Sequence, residues 1–377
     1  AHTGVPTPLS ELLKRKRPTS VYALTDKLML TRSMALQAFE NGVKQIYKLT
    51  TRSGRTIRTT INHPFRTFEG WVPLEKLGPG MRIAAARHIP VPSHVNPLRT
   101  YEAITLGYLL SEGNLCHPHG VYFYSTQEDE IEDFSRSVRE FPNIKIKIDR
   151  SKSAASVYVG QIDQRNGNSL RNWLRTLDLI GKTATEKFVP ACAFSADNVS
   201  LAVFLAKLWQ GDGCVSIKNQ QVYYATSSHR LAEDVQHLLL RFEILSTIHT
   251  KQFHYRGTYK LGWTVNVCGK ENLSRFAATI GRHLIGVKKH AMEIVCQNSQ
   301  IRTNNRGRGT SDTVPMQVFA LIRDELARAE LSPTRFSHAA GISERLAYQD
   351  ARKRGYTRAV LGQMADALDS ALLRIHA

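Results

Sequence analysis

Cysteine is scarce in this chain: five in 377 residues, at positions 116, 192, 214, 268 and 296, with no Cys-x-x-Cys pair. An odd, dispersed set of that kind excludes a disulfide-stapled scaffold and suggests reduced, mostly buried thiols. The one local group of metal-binding residue types, Cys116-His-Pro-His119, has no second ligand pair nearby, which argues against zinc. No run of 18 apolar residues occurs, and the opening residues lack the apolar stretch of a signal peptide, so a soluble cytoplasmic protein with no membrane partner is expected. Acid is also in short supply: 32 Asp and Glu against 51 Lys and Arg give a formal charge of +19. Such an excess favours polyanions, and its even scatter points to a folded surface rather than a tail, so nucleic acid is the leading partner.

The length exceeds one small core and predicts two or three domains. Residues 1–98 alternate at period two between turn signals such as Asn41-Gly42 and Ser53-Gly54, which predicts an all-β segment closed by the proline-rich "RHIPVPSHVNP". Residues 99–297 alternate helices with strand pairs. Helix, strands and helix over 101–161 recur from 198 onwards, an internal repeat of about 100 residues. Residues 298–314 are a basic linker almost without apolar residues, and residues 315–377 are helical.

Each repeat opens with an apolar helix ending in acid-Gly: "TLGYLLSEG" at 105–113 and "LAKLWQGDG" at 205–213. Small residues (Gly107, Ser111, Gly211) would let the two helices pack closely and bring Glu112 and Asp212 side by side. Two adjacent carboxylates repel unless a divalent cation lies between them, and hard oxygen ligands suit Mg2+. A carboxylate-held metal in a basic protein matches what phosphodiester hydrolysis requires. The alternative is a pair of buried helices whose glycines are C-caps and whose acids are simply solvated.

A second motif, "TTINHPFRTFEGW" at 59–71, places Thr60 and His63 in one tight turn just past a strand end, with Pro64 biasing His63 away from helix. A hydroxyl and an imidazole there could both face one peptide bond, or His63 could merely cap the turn.

The two helices resemble the paired motifs of LAGLIDADG homing endonucleases, with Glu112 and Asp212 on the metal-binding positions. The chain departs from that pattern at Lys207, where a small residue is usual, and at Gln210, which replaces an acid. "EKFVP" at 186–190 resembles the segment before the second motif, which makes Lys187 a candidate base or phosphate contact. "TTINHPFRTFEGW", followed by "LEKLGPGMRIA", resembles the intein block around the amino-terminal scissile peptide. The resemblance implies that His63 assists the leaving amide, that Thr60 polarises the peptide, and that Trp71 can orient a downstream cysteine. It also implies bacterial host-protein exteins, closest to those of DnaB-type replicative helicases. The last splicing blocks are expected outside residues 1–377, since "LLRIHA" reads as helix rather than strand.

"LARAELSPTRFSHAAGISERLAYQDARKRG" within 315–377 resembles the five-helix module of phage repressors. The candidate reading helix is Ser343 to Arg352, with Glu344, Arg345, Tyr348, Gln349 and Arg352 towards the DNA, the alternative being a plain bundle. The expected fold is therefore α+β and multidomain: an all-β Hedgehog/intein-type domain, a pseudo-twofold αββαββα endonuclease and an all-α helix-turn-helix module. The expected function is a monomeric intein segment with an embedded double-strand DNA endonuclease. A catalytically inactive DNA-binding protein, or a freestanding endonuclease with a decayed splicing domain, are the competing readings.

Overall fold

The computed structural model describes residues 1–255, 257–301, 313–348 and 355–377. At its centre the helices Thr100–Glu112 and Asn198–Asp212 pack against each other, and both are buried on nearly every side. This is why they read as apolar all round, without a polar stripe. Asp197 caps the second helix by accepting Ser200 N at 2.8 Å, and Glu102 closes the start of the first by accepting Arg99 N at 2.9 Å.

The two helices approach closely because three positions carry little or no side chain. A Cβ at Gly107 would lie 2.7 Å from the Phe204 carbonyl oxygen, and one at Gly211 would lie 2.5 Å from Ser111 Cβ. The closing glycines occupy the C-cap positions without a left-handed turn. Gly113 and Gly213 have extended backbone (φ −87° and −86°), and a Cβ on either would come within 2.6 Å of the helix Cα four residues back. Their lack of a side chain lets each chain turn straight into a strand.

Each central helix leads into a four-stranded antiparallel sheet. The first sheet holds Gly113–Asn114, Val121–Ser125, Ile144–Asp149 and Ala155–Gln161; the second holds Gly213–Ser216, Gln221–Thr226, Ser246–Tyr255 and Thr258–Val267. Both have the spatial order first, second, fourth, third, so the halves share one topology. A helix lies between strand pairs in each half, Glu128–Val138 and His229–Leu239, and another follows each sheet, Ser169–Thr176 and Lys270–Thr279. Phe123, Val157 and Val159 of the first sheet and Val222, Tyr224 and Val265 of the second face one continuous core with Leu106, Leu109, Phe204 and Trp209. Each such side chain contributes roughly 1.5–3 kcal/mol by leaving water.

Residues 1–98 form three separate hairpins rather than one all-β core: Thr19–Leu24 with Leu30–Ala35, Tyr47–Thr50 with Thr56–Thr59, and Pro64–Arg66 with Trp71–Pro73. Residues 36–46 carry no strand, so Asn41-Gly42 is not a hairpin turn. Leu9–Arg15 is a short helix within the stretch expected to be all-β. Glu11 lies in its first turn and Lys14 and Arg15 in its last, charges that suit the helix dipole.

This segment is tied to the second half of the core. Ser53 O accepts both Ile248 N (2.9 Å) and Gln236 Nε2 (2.9 Å), and Arg55 Nη2 donates to Gln236 O at 3.2 Å. The proline-rich 87–97 stretch is likewise held, with Ile89 N on Leu240 O and Asn96 N on Ser195 O.

Asn298–Ile301 continue the helix Gly286–Ile301, so the first residues of the expected linker are helical; residues 302–312 lie outside the described residues. Beyond it come the helices Val318–Arg328, Pro333–Ala339, Glu344–Ala347, Arg358–Ala367 and Ala371–His376 around their own small core. This module is not purely helical, because Thr313–Val314 pair with Tyr356–Thr357. It rests on the third hairpin, where the Phe68 and His376 rings are 4.9 Å apart and Arg82 Nη1 donates to Thr313 Oγ1 at 3.3 Å.

Candidate active site

Glu112 and Asp212 come together at the C-terminal ends of the two central helices, within hydrogen-bonding reach of each other. Enclosure pushes the Asp212 carboxyl up to about 7, and the nearby Glu112 charge adds to the rise. The Glu112 carboxyl is also raised by burial, with Lys187 pulling the other way. Two ionised carboxylates would repel here, and both carboxyls are accordingly raised.

Lys187 is 5% exposed and spends all three of its N–H bonds on the end of the first central helix: Leu109 O (2.9 Å), Ser111 O (3.1 Å) and Gly113 O (2.9 Å). Burial lowers its pKa to about 8 while the two acids draw it back up. An ammonium in that position suits the negative end of the helix dipole and the carboxyl pair alike.

Sequence reasoning missed its counterpart. Lys288 stands 101 residues after Lys187, as Asp212 stands 100 after Glu112. Its Nζ donates to Trp209 O (3.1 Å), Gln210 O and Gly211 O (2.9 Å) at the end of the second helix. Burial lowers its pKa too, against the pull of Glu130, Asp212 and Glu112. The repeat spacing was the signal that could have found it.

The two departures from the motif pattern are both compensated. Lys207, 4% exposed, lays its stem across Gly107 and pairs through Nζ with Asp133 at 2.7 Å, while Tyr108 OH donates to the same carboxylate at 3.0 Å. Gly107 is thus the small partner that Lys207 requires. Gln210 is buried and hydrogen-bonded at both ends of its amide, to Glu130 and Ile285.

The outer faces of the two sheets carry basic and aromatic residues. Tyr122, Tyr158 and Lys147 are opposite one another across three strands of the first sheet. In the second, Lys251 Nζ lies 5.2 Å over the Tyr223 ring. Alternation along Ile144–Asp149 leaves Lys145 and Lys147 exposed, and strand period could have flagged them.

Thr60 and His63 occupy one turn between Thr56–Thr59 and Pro64–Arg66, with His63 N donating to Thr60 O at 3.2 Å. The exposed His63 ring packs edge-on to Phe65 at 5.3 Å. Trp71 is 62% exposed and lines a recess with Arg66, Leu24 and Asp26; among the described residues no ring contact joins it to His63. In the C-terminal module Gly341 makes its turn with φ +61°, and Glu344, Arg345 and Tyr348 are exposed beyond it. Thr334 Oγ1 donates to Glu344 Oε1 at 2.6 Å and lies 3.3 Å from Tyr348 OH. The helix here is Glu344–Ala347, and Gln349 and Arg352 lie outside the described residues.

Comparison with known proteins finds a family match within the second half of the core and similarity to parts of longer proteins. Residues 200–281 match the family model described as LAGLIDADG-like domain. The chain is similar to the replicative DNA helicase DnaB of Rhodothermus marinus, 33% identical over 343 residues, covering 87% of this chain and 35% of the helicase. It is also similar to the replication factor C small subunit of Thermococcus kodakarensis, 28% identical over 253 residues, covering 64% of this chain and 27% of that protein. The chain thus spans about a third of the length of these curated relatives. Among solved structures, the I-DmoI G20S variant in complex with its target DNA matches weakly, at 16% identity and a TM-score of 0.35, over 48% of this chain and 95% of that one.

Proposed function

We propose that this chain is an intein segment carrying a LAGLIDADG double-strand DNA endonuclease, inserted in a DnaB-type replicative helicase. The observation that carries the nuclease reading is the acid pair: one carboxyl from the end of each of two topologically equivalent helices, each helix end bound by its own lysine, Lys187 buried and Lys288 half-buried. Among the described residues no group of three or more His, Cys, Asp or Glu could hold a metal. Two carboxylates alone suit magnesium, which keeps waters and takes further oxygens from a phosphate substrate. Burial and then the neighbouring Glu112 charge raise the Asp212 carboxyl, and a cation between the two acids would offset both, so the residues fit it.

Glu112 and Asp212 would hold the ion, which when bound supplies an activated water and stabilises charge on the phosphate and leaving oxygen. Lys187 and Lys288 keep positive charge beside the pair and fix both helix ends, and with every N–H taken they act here as electrostatic groups rather than free donors. The two sheet faces, with Lys145, Lys147 and Lys251 beside Tyr122 and Tyr223, would follow the DNA backbone, and Glu344, Arg345 and Tyr348 would add contacts from the module.

The insert reading is supported by similarity of the chain to parts of two differently named proteins, a helicase and a replication factor subunit. In it, Thr60 and His63 act on the amino-terminal splice peptide. The experiment is incubation of the full chain and of Asp212→Asn with duplex DNA carrying the uninterrupted helicase coding sequence and Mg2+. Cleavage by the first and not the second is expected. Tight binding without cleavage would instead favour a catalytically inactive DNA-binding protein.

A further inference from the structure

We propose that Gln210 is a positioning residue that fixes Lys288 beside the acid pair by joining Glu130 to Ile285. The inference rests on the endonuclease reading of this site. Gln210 is 2% exposed and uses both ends of its amide: Nε2 donates to Glu130 Oε1 at 2.8 Å, and Oε1 accepts Ile285 N at 3.0 Å. Glu130, 5% exposed, receives Ser125 Oγ on its other oxygen at 2.6 Å. Three residues after Ile285, Lys288 Nζ returns to the main-chain oxygens of Trp209, Gln210 and Gly211. One residue therefore grips the Ile285–Lys288 segment twice, with its side chain at one end and its backbone at the other.

The segment has no slack. Gly286 between these anchors has φ +53°, and a Cβ there would come within 2.9 Å of Asp129 Cγ. The Gln210 amide carries a donor and an acceptor on separate atoms, so it donates to a buried carboxylate and accepts a backbone N–H at the same time. Leucine would strand both partners, and a carboxylate would set like charge against Glu130.

Lys187 is held by a different device with the same logic. Ser228 Oγ donates to Lys187 O at 2.6 Å, and Val189 N donates to Asp234 Oδ2 at 3.0 Å. The lysine that follows each repeat is thus clipped by the intermediate helix of the other repeat, directly for Lys187 and through Gln210 for Lys288.

The test is acetylation of the full chain by a small activated ester at fixed pH, with Lys288 and Lys187 labelling followed by mass spectrometry. Gln210→Leu should raise the Lys288 rate by about tenfold, since the anchors it loses are buried hydrogen bonds, and leave Lys187 unchanged. Gln210→Glu should do the same. The exchange variant E130Q/Q210E should return labelling to the wild-type rate, because amide and carboxylate have only changed places. Circular dichroism identifies any variant that fails to fold, and the exchange variant keeps the comparison available in that case. Wild-type Lys288 labelling in a folded Q210L, or no recovery in the exchange variant, would overturn the proposal. Wild-type chain that cuts no DNA speaks only against the endonuclease reading, because labelling does not depend on cleavage.

Discussion

Replacing Gly107 with alanine would place a methyl 2.7 Å from the Phe204 carbonyl oxygen and 3.2 Å from Leu208 N. Both atoms are backbone of the facing helix, so neither can swing aside, and relief requires the two central helices to part. Overpacking of this kind costs typically about 1–3 kcal/mol. With no side-chain route to relaxation the upper end applies, and the intrinsic helix gain of alanine over glycine returns about 1 kcal/mol. The net loss of about 2 kcal/mol should lower Tm by roughly 4–8 °C for a domain of this size.

Two further glycines calibrate the result. At Gly211 the new methyl meets Ser111 Cβ at 2.5 Å, which the backbone holds in place, and Glu112 Cγ at 3.2 Å, which can turn away. Gly211→Ala should therefore lower stability as Gly107→Ala does, and should also displace Glu112 and impair cleavage. Gly362, inside Arg358–Ala367 with nothing within 4 Å of a Cβ, should gain about 0.5–1 kcal/mol as alanine. The assay is scanning calorimetry of the three variants at one pH. A Gly107→Ala protein melting at or above the wild-type temperature would refute the close-packing argument.

Asp133→Asn removes the counter-ion of buried Lys207 and should cost about 3–5 kcal/mol in denaturant unfolding, most of it recovered when Lys207→Met is added; a mild single-variant effect would mean the pair is solvated. His237 is held down to about 4 by burial and by Arg55 and Arg241. Its stability contribution should be complete above pH 6.5 and fall as pH drops from 6.5 towards 4, because only the unfolded chain takes up the proton there. In His237→Leu that limb should flatten, and an unchanged acid limb in a Tm series would contradict the assignment. Deleting residues 315–377 should weaken duplex binding and flatten its salt dependence through the loss of phosphate contacts, whereas identical slopes would make the module a structural appendage.

The repeat and the meeting of Glu112 with Asp212 were legible because both rest on local pattern. An apolar helix ending in acid-Gly, seen twice at one spacing, dictates a packed pair with acids at one end. Lys288 was not legible from local sequence, since "GVKKHAM" offers two adjacent lysines and only the fold directs one of them back onto the helix end. Lys207 and Gln210 looked out of place in the motif because their partners, Asp133 and Glu130, sit on another helix about 75–80 residues away. In the amino-terminal part, period-two alternation extended through 36–46 without any strand forming, because among the described residues no strand pairs with it. Alternation alone cannot supply a pairing edge.

Strand-resolved, single-turnover cleavage tests the central claim most directly: that Glu112 and Asp212 form one shared centre. Duplex DNA labelled separately on each strand is mixed with the wild-type chain, Glu112→Gln and Asp212→Asn in excess, with Mg2+. Wild-type protein should cut both strands. Each single variant should lose both cuts by at least about a hundredfold, a loss of about 2.7 kcal/mol of transition-state stabilisation. Either variant cutting one strand at the wild-type rate would contradict a shared carboxylate pair.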